Sequence, residues 1–525
     1  LELGLKLGSE LEPELRLGLP LERELEPGPR LVPGPGSGLG LGAGAELGVR
    51  PVLVVGAGPV GLIAALLLAR AGVPTIVLEA AERRQAVGSR SICVHRDVLN
   101  ILERVGVGQA VVDAGVTWYR GRTYFRDREV ITVELPRVEG FPPFVNTPQT
   151  VVEGILHTKA CLEPLIDLRY GWKVVGIQQT GHVILYTVCG ILEGTHCIAA
   201  DGAHSTVRDL LGVTFDGHSF ADRFVIADIR VDLGHPEAER RFYFDPPWHP
   251  GRQVLVHPQP DGVHRIDWQV PEGFELTADH IRAITGDRPY EVLWQSTYRF
   301  HQRRAARFRV GNVLLAGDAA HVMSPFGARG LNSGVCDADN AAWKIALDRA
   351  GEAGPYLLES YHDERAAAAD ENLRVTGETM RFLVPQTEAE RAHRRHVLEH
   401  GLTDQIDSGR LFETFPYRDS PLTTNGDGAL RPHSHRYGPG FTVEADALIR
   451  PDGHTAAVAL TGLGQAGFDR AGLDRAGLDR AGLDRAGLDR ADVDRADVDR
   501  TSLDRTSLDQ ALRRAKGFTA AEAST

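Results

Sequence analysis

The stretch Val52-Leu53-Val54-Val55-Gly56-Ala57-Gly58-Pro59-Val60-Gly61-Leu62, followed onward to Glu79, decides the fold. Val52–Val55 is a short apolar run that predicts a buried strand. Three glycines follow at G-x-G-x-x-G spacing. Residues 59–71 are helical in composition, and residues 75–78 are β-branched and apolar up to Glu79. Strand, turn, helix, strand and acid in this order make the dinucleotide-binding unit of a doubly wound sheet. Gly56 permits the tight turn, Gly58 lets backbone approach a pyrophosphate, and Gly61 lets the helix pack on the sheet. The helix start offers free N–H groups and about half a positive charge, which suits a diphosphate. Glu79 stands where a carboxylate can accept hydrogen bonds from both ribose hydroxyls. By itself this unit does not separate FAD from NAD. Residues 52–73 are apolar for about the length of a membrane span. The breaks at Gly56, Gly58, Pro59 and Gly61, and the charge at Arg70, favour strand, turn and helix instead, so no membrane partner is expected.

A second strand-turn-helix separates the two cofactors. Residues 312–316 read as a buried strand that ends in Gly317-Asp318. An acid at the carboxyl end of a parallel strand faces the ligand crevice. Pro325, Gly327, Gly330, Leu331 and Asn332 follow, then a helix to residue 347. A helix start there would stabilise the negative charge of a reduced flavin, which points to FAD. No second strand–GxGxxG–helix unit appears, so no separate nicotinamide domain is expected. Gly40, Gly42 and Ala45 imitate the motif, but Pro33 to Gly36 precede them in place of a strand.

The chain has 525 residues and a formal net charge of -13, which argues against nucleic acid as a partner. Its five cysteines, Cys93, Cys161, Cys189, Cys197 and Cys336, are scattered without CxxC spacing. They read as free thiols in a reducing, cytoplasmic setting. No metal constellation is visible, and no basic-then-apolar segment suggests a signal peptide. Residues 1–50 are a low-complexity tail rich in Leu, Glu, Gly and Pro. Residues 120–300 look mixed, with strand-like runs, and 356–400 read as surface helices. Residues 466–510 are nine five-residue units, from AGFDR to TSLDQ. They resemble pentapeptide repeats, with Phe468, Leu473 and Leu478 inward, although a disordered or loosely helical repeat expansion is the preferred reading.

Four blocks carry a family resemblance: GAGPVGL at 56–62, ADGAHSTVR at 200–208, HPQPDGVHRIDWQV at 257–270, and GDAAHVMSPFGARGLNSGVCDADNAAWK at 317–344. Over residues 51–420 the chain resembles the flavoprotein aromatic hydroxylases, the group that includes p-hydroxybenzoate, phenol and 3-(3-hydroxyphenyl)propionate hydroxylases. The resemblance implies an α/β fold: a Rossmann-like FAD-binding domain interleaved with a mixed-sheet substrate domain. Its parts would be 51–205 and 301–400 for FAD, the latter carrying the surface helices, and 206–300 for substrate. Residues 401–465 would be the remnant of a thioredoxin-like C-terminal domain, and 511–525 a tail. Asp318 would bind the ribityl chain, and Gly330, Leu331 and Asn332 would border the isoalloxazine. Asp201 and Gly202 match the family's Asp-Gly motif, while Arg90 and Gln149 match its flavin-contacting arginine and glutamine. His321 is expected to be structural.

The implied cycle consumes NADH or NADPH, passes through a flavin C4a-hydroperoxide formed from O2, and hydroxylates a small phenolic or other aromatic substrate. Polyketide tailoring, antibiotic inactivation and a non-catalytic FAD-binding protein with an interaction tail are the alternatives. The catalytic residue stays open, with Tyr243 and Asp267 as candidates, and so does the oligomeric state.

Overall fold

A computed structural model describes residues 50–84, 91–137, 139–424, 426–444, 447–458, 505–519 and 522. The low-complexity tail, Arg90 and the repeats up to residue 504 therefore lie outside the described residues.

Val52–Val55, Cys197–Ala199 and Val313–Leu315 are wholly buried strands, as their apolar sequences require. They pair in parallel with Thr75–Glu79 and Ile166–Tyr170, and Arg309–Val310 closes one edge antiparallel. The resulting six-stranded sheet runs in the order 309–310, 313–315, 197–199, 52–55, 75–79, 166–170. Chain order reverses at Val52–Val55, and in such sheets the ligand crevice opens there, beyond the carboxyl ends of the strands. The helix Pro59–Arg70 is buried from Gly61 to Ala69, so it is a core helix with no solvent stripe. It packs against the helices Gln149–Cys161 and Arg329–Arg349. A three-stranded meander, Val174–Gln179, Val183–Thr187 and Gly190–Gly194, shares this core. A Cβ on Gly194 would stand 2.6 Å from Leu53 Cγ, so the meander approaches the central strand closely.

The second sheet has eight strands, in the order 321–322, 291–305, 215–230, 263–270, 253–258, 239–244, 120–125, 128–134. Its pairs are antiparallel except Glu239–Phe244 with Arg120–Phe125, which is parallel. Two boundaries differ from the sequence reading. Residues 120–134 belong to this eight-stranded sheet and not to the six-stranded one. Glu291–Ala305 also runs past residue 300. Both follow from pairings between distant segments, which local pattern does not specify.

The C-terminal segment differs as well. Its described part does not stand apart as a domain remnant. Thr442–Glu444, Ala447–Ile449 and Thr455–Val458 form a small antiparallel sheet whose apolar residues join Trp343 and Leu357 in one cluster. The tail is also structured: Arg505–Ala515 is a helix, and Leu508, Ala511, Leu512 and Ala515 complete that cluster. The last repeat unit, residues 506–510, thus lies in an α-helix. Among the described residues no helix is long and apolar enough to cross a membrane. None of their His, Cys, Asp and Glu clusters is placed to hold a metal ion.

Candidate functional site

Strand register brings the chemistry-bearing turns together. Val55 pairs with Leu78 and Ala199, and Ala199 pairs with Leu315. Gly56, Asp201 and Gly317 therefore leave the sheet along one edge.

The glycine turn is tight where it must be and open where a ligand would lie. Gly56 has φ +103°, and a Cβ there would stand 2.3 Å from Ala200 O. A Cβ on Gly61 would stand 1.9 Å from Gly56 O, whereas one on Gly58 meets nothing within 4 Å. The helix start at Pro59 has no side-chain cap. Glu79 holds the turn from the next strand: Ala57 N–H donates to Oε2 at 2.9 Å and Ala81 N–H donates to Oε1 at 3.0 Å. Each oxygen keeps a further lone pair for a hydroxyl.

Asp201 is braced from within its own loop. Ser205 Oγ donates to Oδ1 at 2.5 Å, and Val207 N–H donates to Oδ2 at 3.1 Å. Burial pushes its carboxyl up against these hydrogen bonds. Arg208 Nη1 donates to Ala203 O and to Ala319 O, both at 3.2 Å, and so ties this loop to the Gly317 turn. That tie was invisible in the sequence, where Arg208 is only one residue of the 200–208 block.

Gly317–Ala319 is a single 3-10 turn, with Asp318 half-buried at its outer side. Gly317 N–H donates to Asp337 Oδ2 at 2.9 Å. His321 Nε2 donates to the same oxygen at 2.8 Å, and Arg365 Nε donates to Oδ1 at 2.6 Å. Burial would raise the Asp337 carboxyl, but Arg365 and His321 outweigh it and hold the group below the usual carboxylate range. His321 is fully buried beneath the turn, where it supports structure as expected.

The helix Arg329–Arg349 starts from Ala328 in the left-handed region, φ 56°, with no side-chain cap. A Cβ on Gly330 meets nothing within 4 Å, as at Gly58 and at Gly202. Leu331 is half-buried in the same first turn, and Pro325 is exposed in the loop before it. Asn332 differs: its side chain is fully buried and committed to protein. Oδ1 accepts from His95 N–H at 2.9 Å, and Nδ2 donates to Cys93 O at 3.0 Å and Ala328 O at 2.6 Å. It fixes the helix start to the strand Cys93–His95, so only its backbone can border a ring. Gln149 begins its helix beside Ser91, whose N–H donates to Oε1 at 3.3 Å. That puts Gln149 next to Ser91, the first described residue after the gap.

The eight-stranded sheet turns one face toward this edge. Phe224, Ile226, Leu255 and Phe242 form one cluster with Phe326, from the loop preceding Arg329. Trp118 and Phe144 cluster with Cys93 and Ala328. Asp267 lies on that face, paired in register with Leu255 and Ile226. Tyr243 points to the opposite face, stacked on Tyr124 at 4.9 Å with Trp248 beside it. The structure thus separates two candidates that the sequence left level.

Residues 50–376 match the family described as "FAD binding domain". The chain belongs to that family. Among its relatives is the 3-(3-hydroxy-phenyl)propionate/3-hydroxycinnamic acid hydroxylase of Mycobacterium sp. (strain JLS), 30% identical over 330 residues, covering 60% of this chain and 57% of the relative. The matched part thus spans little more than half the length of that hydroxylase. The dialkyldecalin synthase of Streptomyces rugosporus is 31% identical over 332 residues, covering 60% of this chain and 69% of the relative. Among solved structures, p-nitrophenol 4-monooxygenase PnpA from Pseudomonas putida DLL-E4 superposes with a TM-score of 0.60 at 26% identity, over 69% of this chain and 99% of that one. The α/β architecture read from the sequence is the one that this solved monooxygenase shares.

Proposed function

We propose that this FAD-family protein is an NAD(P)H-consuming monooxygenase that hydroxylates a phenolic or other aromatic substrate. The observation that carries the reading is the common edge: the turns at Gly56, Asp201 and Gly317 meet there, facing an aromatic-rich sheet. The residues fit FAD. Open space lies over Gly58 and Gly330, where a diphosphate and a ring would approach backbone, and also over Gly202, while Gly56 and Gly61 are closed by packing.

When bound, FAD would supply the redox chemistry that couples NAD(P)H oxidation and O2 reduction to insertion of one oxygen atom into the substrate ring, the other leaving as water. The chain's own residues supply the setting. The N–H groups at the start of Pro59–Arg70 bind the diphosphate, Glu79 the ribose and Asp318 the ribityl hydroxyls. The first-turn N–H groups of Arg329–Arg349 favour negative charge on the ring edge. Phe326, Phe224 and Leu255 exclude water from the reacting ring. Five free thiols support a reducing, cytoplasmic setting.

The test is a purified protein with a flavin spectrum that oxidises NAD(P)H faster when a phenol is added, with the hydroxylated product identified. A colourless protein that also fails to take up FAD overturns the reading. The synthase relative from Streptomyces supports a second reading, tailoring of a larger polyketide-type substrate. Product analysis over a panel of phenols and polyketides separates the two. Bound FAD with no substrate-stimulated oxidation would mark a non-catalytic flavoprotein.

A further inference from the structure

The geometry points to Asp267 as the residue that accepts the substrate's hydroxyl hydrogen, which makes the substrate an arene with a free hydroxyl. This assignment rests on the monooxygenase reading and adds a residue to it.

The argument begins with strand alternation. On the face turned toward the flavin edge, one row across the sheet holds His257, Arg265 and Asp228, and the next holds Phe242, Leu255, Asp267 and Ile226. Most of the charges on this face have partners. Arg265 grips Asp228 through Nε at 2.8 Å and Nη2 at 2.7 Å. Arg240 Nη2 donates to Ser408 O at 2.6 Å. Asp267 has neither a hydrogen bond nor an ion pair among the described residues, and its Oδ1 is buried. Asp267 is half-buried, and a carboxylate oxygen withdrawn from water without a donor is costly and rarely kept without a purpose. Its register neighbours Leu255 and Ile226 pack with Phe326, at the loop that leads to Ala328 and Gly330. A ring held against that loop can present its hydroxyl to Asp267.

The surrounding charges agree. Burial foremost pushes the Asp267 carboxyl up to about 7; Arg265 and Arg240 pull it down and Asp228 pushes it up. His257 is also on this face, but burial, Arg240 and Arg265 hold its imidazole well below the usual range, so it is too weak a base to compete. In the step itself the substrate O–H bond breaks, the proton moves to Asp267, and the electron pair stays on oxygen, enriching the ring for attack. The proton returns to the product hydroxyl or to water on release.

Since the acceptor must be ionised, phenol binding should strengthen as pH rises from 6 to 8. The experiment titrates the FAD-loaded full chain with phenol and, separately, with anisole, reading the change in flavin absorbance on binding. Phenol affinity should rise with pH in the unaltered protein, and anisole affinity should stay flat. Asp267→Asn should bind phenol about tenfold to a hundredfold more weakly at pH 8, with no pH dependence. Asp267→Glu should restore part of that dependence. Equal phenol affinity and an equal pH profile in Asp267→Asn overturn the proposal. Failure of phenol to bind at any pH overturns it together with the reading it rests on. If the pH-dependent binding is present but no ligand stimulates NAD(P)H oxidation, the monooxygenase reading falls and the hydroxyl acceptor stands.

Discussion

At Gly61 a single methyl group meets backbone and not a movable side chain. Its Cβ would stand 1.9 Å from Gly56 O, so Gly61→Ala must push the first helix away from the glycine turn. The expected outcome is purified protein with less than about a tenth of the normal FAD content, read from its absorbance ratio. Asp318→Ala should also empty the protein of FAD, by a different route: the change falls at a half-buried side chain and, on the proposed function, removes a ligand for the ribityl chain. The two variants should therefore part in thermal unfolding of the apoprotein, with Gly61→Ala lowered and Asp318→Ala near normal. Asp337 gives the opposite pattern from Asp318. Asp337→Ala would leave the buried Arg365 without its carboxylate. Removing one partner of a buried pair costs about 3–5 kcal/mol, and urea denaturation should show a loss of that order. These residues were legible to different degrees. The sequence pointed to Gly56, Gly58, Gly61 and Asp318 because local spacing carries their chemistry. It could not show that Asp337, sixteen positions after His321, holds up the Gly317 turn, because that contact exists only once the helix is docked.

Element boundaries were legible where pattern is local and were lost where pairing is distant. The strand and helix from Val52 to Arg70 were readable from composition and glycine spacing alone. The place of Arg120–Phe125 was not, since its parallel partner Glu239–Phe244 lies far along the chain. The helix Arg505–Ala515 joins the end of the five-residue repeats to the tail beginning at 511, and its charged sequence hides a four-residue apolar face. That face covers Trp343, Leu357, Leu422 and Leu448. Its end is pinned too: Gly354 N–H donates to Lys516 O at 2.7 Å and Tyr356 N–H to Gly517 O at 3.0 Å. Leu512→Ala should thus destabilise the whole chain by about 2–4 kcal/mol, a core value that no loose tail would give. Guanidinium unfolding is the check, and a change below about 0.5 kcal/mol would mean the helix is not docked in solution.

Across the whole molecule, two carboxylates shift in opposite directions, Glu364 with ionic partners and Asp267 without a partner among the described residues. Glu364 exemplifies the paired kind: Lys344 donates to it at 2.8 Å and Arg450 at 2.7 and 2.9 Å, binding the C-terminal segment to the helices that carry Lys344 and Glu364. Burial opposes its charge, yet Arg450 and Lys344 hold its carboxyl well below the usual range. A depressed carboxylate stabilises the fold above its unfolded pKa and loses that contribution as pH falls through the folded value, so this cluster predicts acid unfolding. Asp267 is the other kind. Its carboxyl is raised to about 7, so its sign is reversed: the fold is favoured while it is protonated and is penalised progressively as pH rises from about 4 through 7. Asp267→Asn removes a charge that the fold must otherwise accommodate. The variant should therefore melt higher than the unaltered protein at pH 8, by the equivalent of roughly 1–2 kcal/mol, with a smaller gap at pH 5. Scanning calorimetry of both proteins at the two pH values reads this directly. A gap that does not widen with pH would show that the carboxylate is solvated or paired in solution. If the gap widens, the fold tolerates an unstable group on the sheet face that packs with Phe326, as functional sites commonly do at the expense of stability.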